Sequence, residues 1–253
     1  MSSWKDQPWA KEPAVLITEL DRLYAKAVGA GKIVSPAHST MEKVMAIREW
    51  SPAVPMAQLL QAIQTLGILY IPAGMPPGPG IMFPITDVDG KVKRLQIRLN
   101  DPAAYGMRYM SIMDPDGFMG PGWVGSDRKT RENIIRTGNV LVVEGPFDLL
   151  AVRALAPDLP SLCPLSKRMS WKHVAFMLMY GVERLQILMD QDEPGRKATT
   201  DAEKNLGNKF KIVPVRCPAA DPSDCLTSRS SLFQLQEVLR LHAPEVEIPW
   251  DDL

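Results

Sequence analysis

The chain has 253 residues, 45% of them hydrophobic, and its 29 basic and 29 acidic side chains cancel to a formal net charge of zero. This composition excludes a disordered or collagen-like chain, and the lack of any run of about 18 apolar residues excludes a helical membrane span. Three irregularly spaced cysteines, Cys163, Cys217 and Cys225, fit neither a disulfide framework nor a Cys-x-x-Cys zinc site, so reduced packing thiols in a cytoplasmic protein are expected.

The opening segment, MSSWKDQPWAKEP, has no apolar core and does not read as a signal peptide. Apolar residues recurring at three and four predict helices over 14–28, around 41–50 and over 56–66. The run AGMPPGPG (73–80) breaks regular structure and marks a boundary. The period then changes. GIMFPITDVDGKVKRLQIRL reads as a hairpin around Asp89-Gly90, and a loop-rich stretch through GFMGPGWVG follows. The stretch from 91 to 136 is locally basic, with Lys91, Lys93, Arg94, Arg98, Arg108, Arg128, Lys129, Arg131 and Arg136. A basic stripe beside an acidic cleft suits a polyanion held near cations, because charge placement matters more than the total.

From Gly138 the pattern becomes regular. Strands are predicted over 139–143, 161–165, 184–189 and 210–215, with helices over 147–155, 170–180, 196–206 and 231–241. Such alternation predicts an α/β fold with a mostly parallel sheet flanked by helices. The expected organisation is a helical region over 1–75, a smaller α+β subdomain with basic strands over 76–137, the parallel α/β domain over 138–240, and an acidic tail over 241–253.

Carboxylates cluster where strands end. The first strand runs into Glu144-Gly145-Pro146-Phe147-Asp148, the third into Asp190-Gln191-Asp192-Glu193-Pro194-Gly195, and the fourth leads to Asp221-Pro222-Ser223-Asp224. Ligands of open parallel sheets bind outside the carboxyl ends of the strands, so these groups should converge. Two like charges 4 Å apart repel by about 4 kcal/mol at an effective dielectric near 20, so such a cluster requires that some carboxylates be protonated or that cations neutralise them. All-oxygen ligation favours Mg²⁺ or Mn²⁺ over zinc. Helix capping by Asp148 and Asp192 is the competing reading.

Glu144-Gly-x-x-Asp148, Asp190-x-Asp192-x-x-Gly195 about 45 residues on, and an acidic Asp-Pro loop together resemble the TOPRIM domain shared by bacterial primases, topoisomerases and some nucleases. The resemblance implies Glu144 as general acid/base or metal ligand, and Asp148, Asp190 and Asp192 as metal ligands. Asp221 and Asp224 match the third acidic cluster less well, because Ser223 adds spacing relative to the usual Asp-Pro-Asp.

Upstream, MFPITDVDGKVKRLQIRL and Arg108-Tyr109-Met110-Ser111 resemble the catalytic core of bacterial-type primases. That match implies template or nucleotide contacts from Arg98 and Arg108, with Lys93 and Arg94 on the same basic strand. It implies primer synthesis on single-stranded DNA: attack of a 3′ hydroxyl on the α-phosphate of a nucleoside triphosphate, assisted by Mg²⁺ or Mn²⁺. The usual zinc-binding ligand set does not occur in this sequence, so no zinc is expected, and a minimal primase of a phage, plasmid or other mobile element is implied. A TOPRIM nuclease and a non-catalytic replication-accessory protein are the alternatives. The segment APEVEIPWDDL, with Trp250 among acids, is loosely similar to the acidic tail of single-strand-binding proteins. It is expected to dock a replicative helicase or a single-strand-binding protein.

Overall fold

The computed structural model describes residues 12–75, 78–87, 89–113, 122–166 and 168–244, with Tyr105 described by its backbone only. Residues 245–253, most of the APEVEIPWDDL segment expected to dock a partner, lie outside these residues.

Three helices come first. α1 (Pro13–Gly29) buries Leu16, Leu20 and Tyr24, one stripe at a four-residue period. α2 (Pro36–Arg48) starts five residues before its predicted position, because Ser35 caps it and Pro36 suits a first turn. The Ser35 hydroxyl accepts the His38 amide at 3.2 Å. α3 (Met56–Leu66) falls where the sequence predicts it.

β1 (Leu69–Ile71), β2 (Gly80–Thr86), β3 (Val92–Leu99) and β4 (Tyr109–Met113) form an antiparallel sheet in that order. β2 and β3 are the expected hairpin; β1, three residues long, carries too little pattern to be foreseen. Along β3, Leu95, Ile97 and Leu99 are buried and pack with Leu16, Leu20 and Tyr24 of α1. Arg94, Gln96 and Arg98 take the alternate positions and so share the opposite face. The register shifts between Ile85 and Thr86, leaving Lys93 at the irregularity. After β3 comes the short α4 (Pro102–Tyr105), capped by Asp101.

The segment 122–126 joins this sheet to the second one. The Thr86 amide donates to Trp123 O at 3.2 Å, and Val124 and Cys163 exchange two backbone bonds of 3.0 Å. Buried Arg153 braces the joint, donating to Gly125 O at 3.0 Å and Ser161 O at 2.9 Å and pairing with Asp127 at 3.2 Å. α5 (Arg128–Thr137) was not foreseen: it buries only Thr130 and Ile134, and its limits are set by the Asp127 cap and by Gly138.

β5 (Asn139–Val143), α6 (Pro146–Leu155), β6 (Ser161–Leu162), α7 (Trp171–Met179), β7 (Arg184–Leu188), α8 (Glu193–Leu206), β8 (Lys211–Pro214) and α9 (Arg229–His242) complete the chain. The four strands are parallel in the order β6-β5-β7-β8. Alternation along β5 separates two cores. Leu141 and Val143 pack with α6, α9, α2 and α3, whereas Val140 and Val142 pack with α5, α7 and α8. The expected helix-flanked α/β fold is borne out. No helix among the described residues is long and apolar enough to cross a membrane.

Candidate active site

Glu144 follows β5 directly and is half-buried. Gly145 then caps α6, and its amide donates to Asp148 Oδ2 at 2.9 Å. Asp148 is therefore a third-position partner of the cap and not the cap itself. Its other oxygen, Oδ1, accepts the Ser223 amide at 3.2 Å, which ties the first acidic turn to the third. Asp148 is 7% exposed. Burial, and then the charges of Asp221 and Asp190, hold its carboxyl well above the usual carboxylate range, against the two amide bonds that pull it down.

Asp190 lies just past β7. Two glycines let these turns close, and neither does so through its backbone dihedrals. A Cβ on Gly195 would stand 2.1 Å from Asp190 O, and one on Gly145 would stand 2.7 Å from Asp148 Oδ2. The motif glycines thus answer close approach. Asp192, largely exposed, caps α8 by accepting the Gly195 amide at 2.7 Å. The Gln191 amide donates to Ala220 O at 2.8 Å, joining the second acidic turn to the third loop. In that loop Asp221 Oδ1 accepts the Asp224 amide at 2.7 Å. Burial pushes the Asp221 carboxyl up against the pull of the Asp224 amide bond, the Asp224 charge adds to the rise, and Arg48 acts in the opposite direction.

The antiparallel sheet faces these acids. Arg94, Gln96, Arg108 and Tyr109 line the same cavity of about 470 Å³ as Glu144, Asp148, Asp190 and Asp221. Burial lowers the Arg94 pKa and raises that of Tyr109. Of the acids expected to converge, Asp192 and Asp224 do not line the cavity. Of the expected basic contacts, Arg94 and Arg108 line it, and Lys93 and Arg98 do not. Arg98 lies over the Tyr109 ring at 5.5 Å and donates to Leu99 O at 2.9 Å. The remaining basic stripe disperses: Arg128 pairs with Glu132 at 2.7 Å and Lys129 with Asp158 at 2.9 Å.

Two parts of the wall were missed from sequence. Arg48, at the end of α2, reaches the third loop: Nε donates to Ser223 Oγ at 2.9 Å and Nη2 pairs with Asp224 at 3.1 Å. Its guanidinium stands 5.3 Å from the Phe147 ring centroid. Leu165 and Ser166 also line the cavity, and Leu165 sits at φ 55°, a conformation that L residues rarely take. No local signal marks any of the three; the Arg48 contact spans 175 positions.

The donor set fits a hard divalent cation. It is all oxygen, and beyond the effect of burial the charges of Asp221 and Asp190 raise the Asp148 carboxyl, a repulsion that a cation would relieve. Among the described residues no three His, Cys, Asp or Glu side chains form a ready-made cage. Mg²⁺, which keeps several waters and takes one or two carboxylates, does not require one.

A parallel sheet bearing these acidic turns is faced by an arginine-bearing antiparallel sheet, and the fold is that of solved primase catalytic cores. Residues 141–226 match the family model described as Toprim-like. The RNA polymerase domain of Mycobacterium tuberculosis primase DnaG superposes with a TM-score of 0.64 at 17% identity, covering 91% of this chain and 84% of that one. For the Aquifex aeolicus primase, with zinc-binding and RNA polymerase domains, the TM-score is 0.63 at 19% identity, covering 90% of this chain and 60% of that one. A DnaG primase catalytic domain bound to single-stranded DNA gives 0.59 at 17% identity, covering 90% and 78%. At these identities the likeness is one of fold. No curated protein sequence matches the chain.

Proposed function

We propose that this chain is a primase-type nucleotidyltransferase that makes short RNA primers on single-stranded DNA. One observation carries the reading: arginines of one sheet and carboxylates of the other line a single cavity. Arg94 and Arg108 would neutralise phosphates of template or nucleotide, and Tyr109 and Phe147 offer apolar walls beside them. Glu144 would take the proton of the attacking 3′ hydroxyl. Asp148, Asp190 and Asp221 would hold Mg²⁺ or Mn²⁺, with Asp192 and Asp224 as more distant carboxylates. Such an ion supplies charge neutralisation at the phosphate and lowers the pKa of a bound hydroxyl. The DNA-bound DnaG catalytic domain of the same fold supports a single-stranded DNA partner. A helicase or single-strand-binding protein docked by the segment over 244–253 completes the proposal.

The nuclease alternative needs the same acids with water as nucleophile. It gives no role to a second arginine-bearing wall, which suits a reaction that holds two phosphorylated partners. The test is the full chain with single-stranded DNA, labelled ribonucleoside triphosphates and Mg²⁺ or Mn²⁺, scored for synthesis and cleavage together. Short labelled products support the reading. Cleavage without synthesis replaces it with the nuclease, and DNA binding with neither activity replaces it with the accessory protein.

A further inference from the structure

The loop that carries Asp221 and Ser223 begins and ends on thiols. Cys217 and Cys225 are 3% and 0% exposed, and their Sγ atoms lie 3.5 Å apart. A disulfide needs about 2.05 Å, so the sulfurs must close by roughly 1.5 Å. The eight-residue separation lets one bond clamp both ends of the loop. The two thiols differ in access. Cys217 borders an open groove of about 690 Å³ between the end of β8 and α9, with Arg216, Phe233 and Glu237 among its walls, whereas Cys225 is enclosed. Cys163 stands in a different setting, its thiol donating to Glu144 O at 3.2 Å.

We propose that Cys217 and Cys225 are a reversible dithiol–disulfide pair, oxidised by a small disulfide of the glutathione class, that cross-links the two ends of the acidic loop. The Cys217 sulfur, reached through the groove, attacks one sulfur of the small disulfide and expels its first thiol, which takes the Cys217 proton. The Cys225 sulfur then attacks Cys217 Sγ, forming the internal bond and expelling the second thiol, which takes the Cys225 proton. Two protein thiols are oxidised and one small disulfide is reduced to two thiols. In a reducing compartment such a bond is transient, which makes it a switch and not a structural staple. Its consequence falls on the loop itself. The Ser223 amide holds Asp148, and the Cys225 amide donates to Asp221 O at 3.3 Å, so the cross-link restrains the segment that organises two cavity carboxylates. The inference stands apart from the nucleotidyl-transfer reading.

The full chain is incubated with oxidised glutathione, then denatured, its thiols counted and its disulfides mapped by peptide mass. Two of the three thiols should disappear into a bond between Cys217 and Cys225, and dithiothreitol should restore them. Amide hydrogen exchange over 218–224 should slow severalfold in the oxidised protein and recover on reduction. Cys217→Ser should keep both remaining thiols after the same treatment; the unsubstituted chain decides the matter even if that variant folds poorly. Three surviving thiols, a stable glutathione adduct, a bond to Cys163, or unchanged exchange over the loop would each overturn the proposal.

Discussion

Arg48 and Ser223, 175 positions apart, share a hydrogen bond of 2.9 Å that fastens an N-terminal helix to the third acidic loop. The Ser223 amide in turn donates to Asp148, so the bond steadies a buried carboxylate at one remove. Arg48→Met keeps most of the stem and removes both polar contacts. Hydrogen bonds to charged groups contribute about 1.5–3 kcal/mol each, so a loss near the lower figure is expected for this partly exposed residue. For a chain of this size, about 2–4 °C of Tm accompanies each kcal/mol. Thermal melts should therefore drop several degrees and synthesis should fall at least about tenfold, with Arg48→Lys recovering part of both. An unchanged melt would show that the brace is idle.

Asp190→Asn should separate stability from activity. Asp190 is one of the charges that raise the Asp148 carboxyl, so in protein stripped of divalent ions its removal relieves repulsion. The Tm at neutral pH should therefore rise in the variant. The same substitution removes an ion-holding charge, so Mn²⁺ should stabilise the variant less than the unsubstituted chain, and synthesis should fall more than about a hundredfold. A variant that melts lower without ions and keeps full activity contradicts the assignment.

The acidic turns were legible in sequence because their signals are local. An apolar run ending in Glu144 or Asp190, with Gly145 or Gly195 close by, states a strand, a tight turn and a carboxylate within a dozen residues. The charged helix over 128–137 was not, since Thr130 and Ile134 are too few to set a period. Arg48 was hidden for another reason: its meaning lies in a partner that only the folded chain brings near. The third loop lies between. Its acids were visible, but Asp221 lines the cavity while Asp224 is drawn off by Arg48.

The pH dependence of the ion-free protein follows from the raised Asp148 carboxyl, to which burial contributes most, ahead of Asp221 and Asp190. The native state binds this proton more tightly than the unfolded chain, whose Asp titrates near 3.9. Its stabilising contribution is thus complete below about pH 4 and is lost as pH rises through the higher native value. Melts in chelator between pH 4 and 7.5 should show the unsubstituted chain losing stability relative to Asp190→Asn as pH rises. Mn²⁺ should close that gap at neutral pH and have little effect near pH 4. A gap that is flat with pH would remove the carboxylate cluster as its cause.

The arginines should divide by where they point. Arg94 and Arg108 line the cavity, whereas Arg98 is committed to Leu99 O and the Tyr109 ring. A contact to a phosphate displaces counterions, and each one lost should lower the slope of log K against log salt by about one for duplex and somewhat less for single strands. Arg94→Ala and Arg108→Ala should each weaken binding of single-stranded DNA or nucleotide and flatten that slope, with synthesis falling in step. Arg98→Ala should leave the slope nearly unchanged and act mainly through the placement of Tyr109, so its binding loss should be smaller. Fluorescence anisotropy across about 50–300 mM salt, a range running from weaker to stronger screening, reads all three variants. Equal slopes for Arg94→Ala, Arg108→Ala and the unsubstituted chain would mean that the arginine wall does not meet phosphate. A large slope change confined to Arg98→Ala would put the phosphate path along the Arg98 end of β3, outside the cavity.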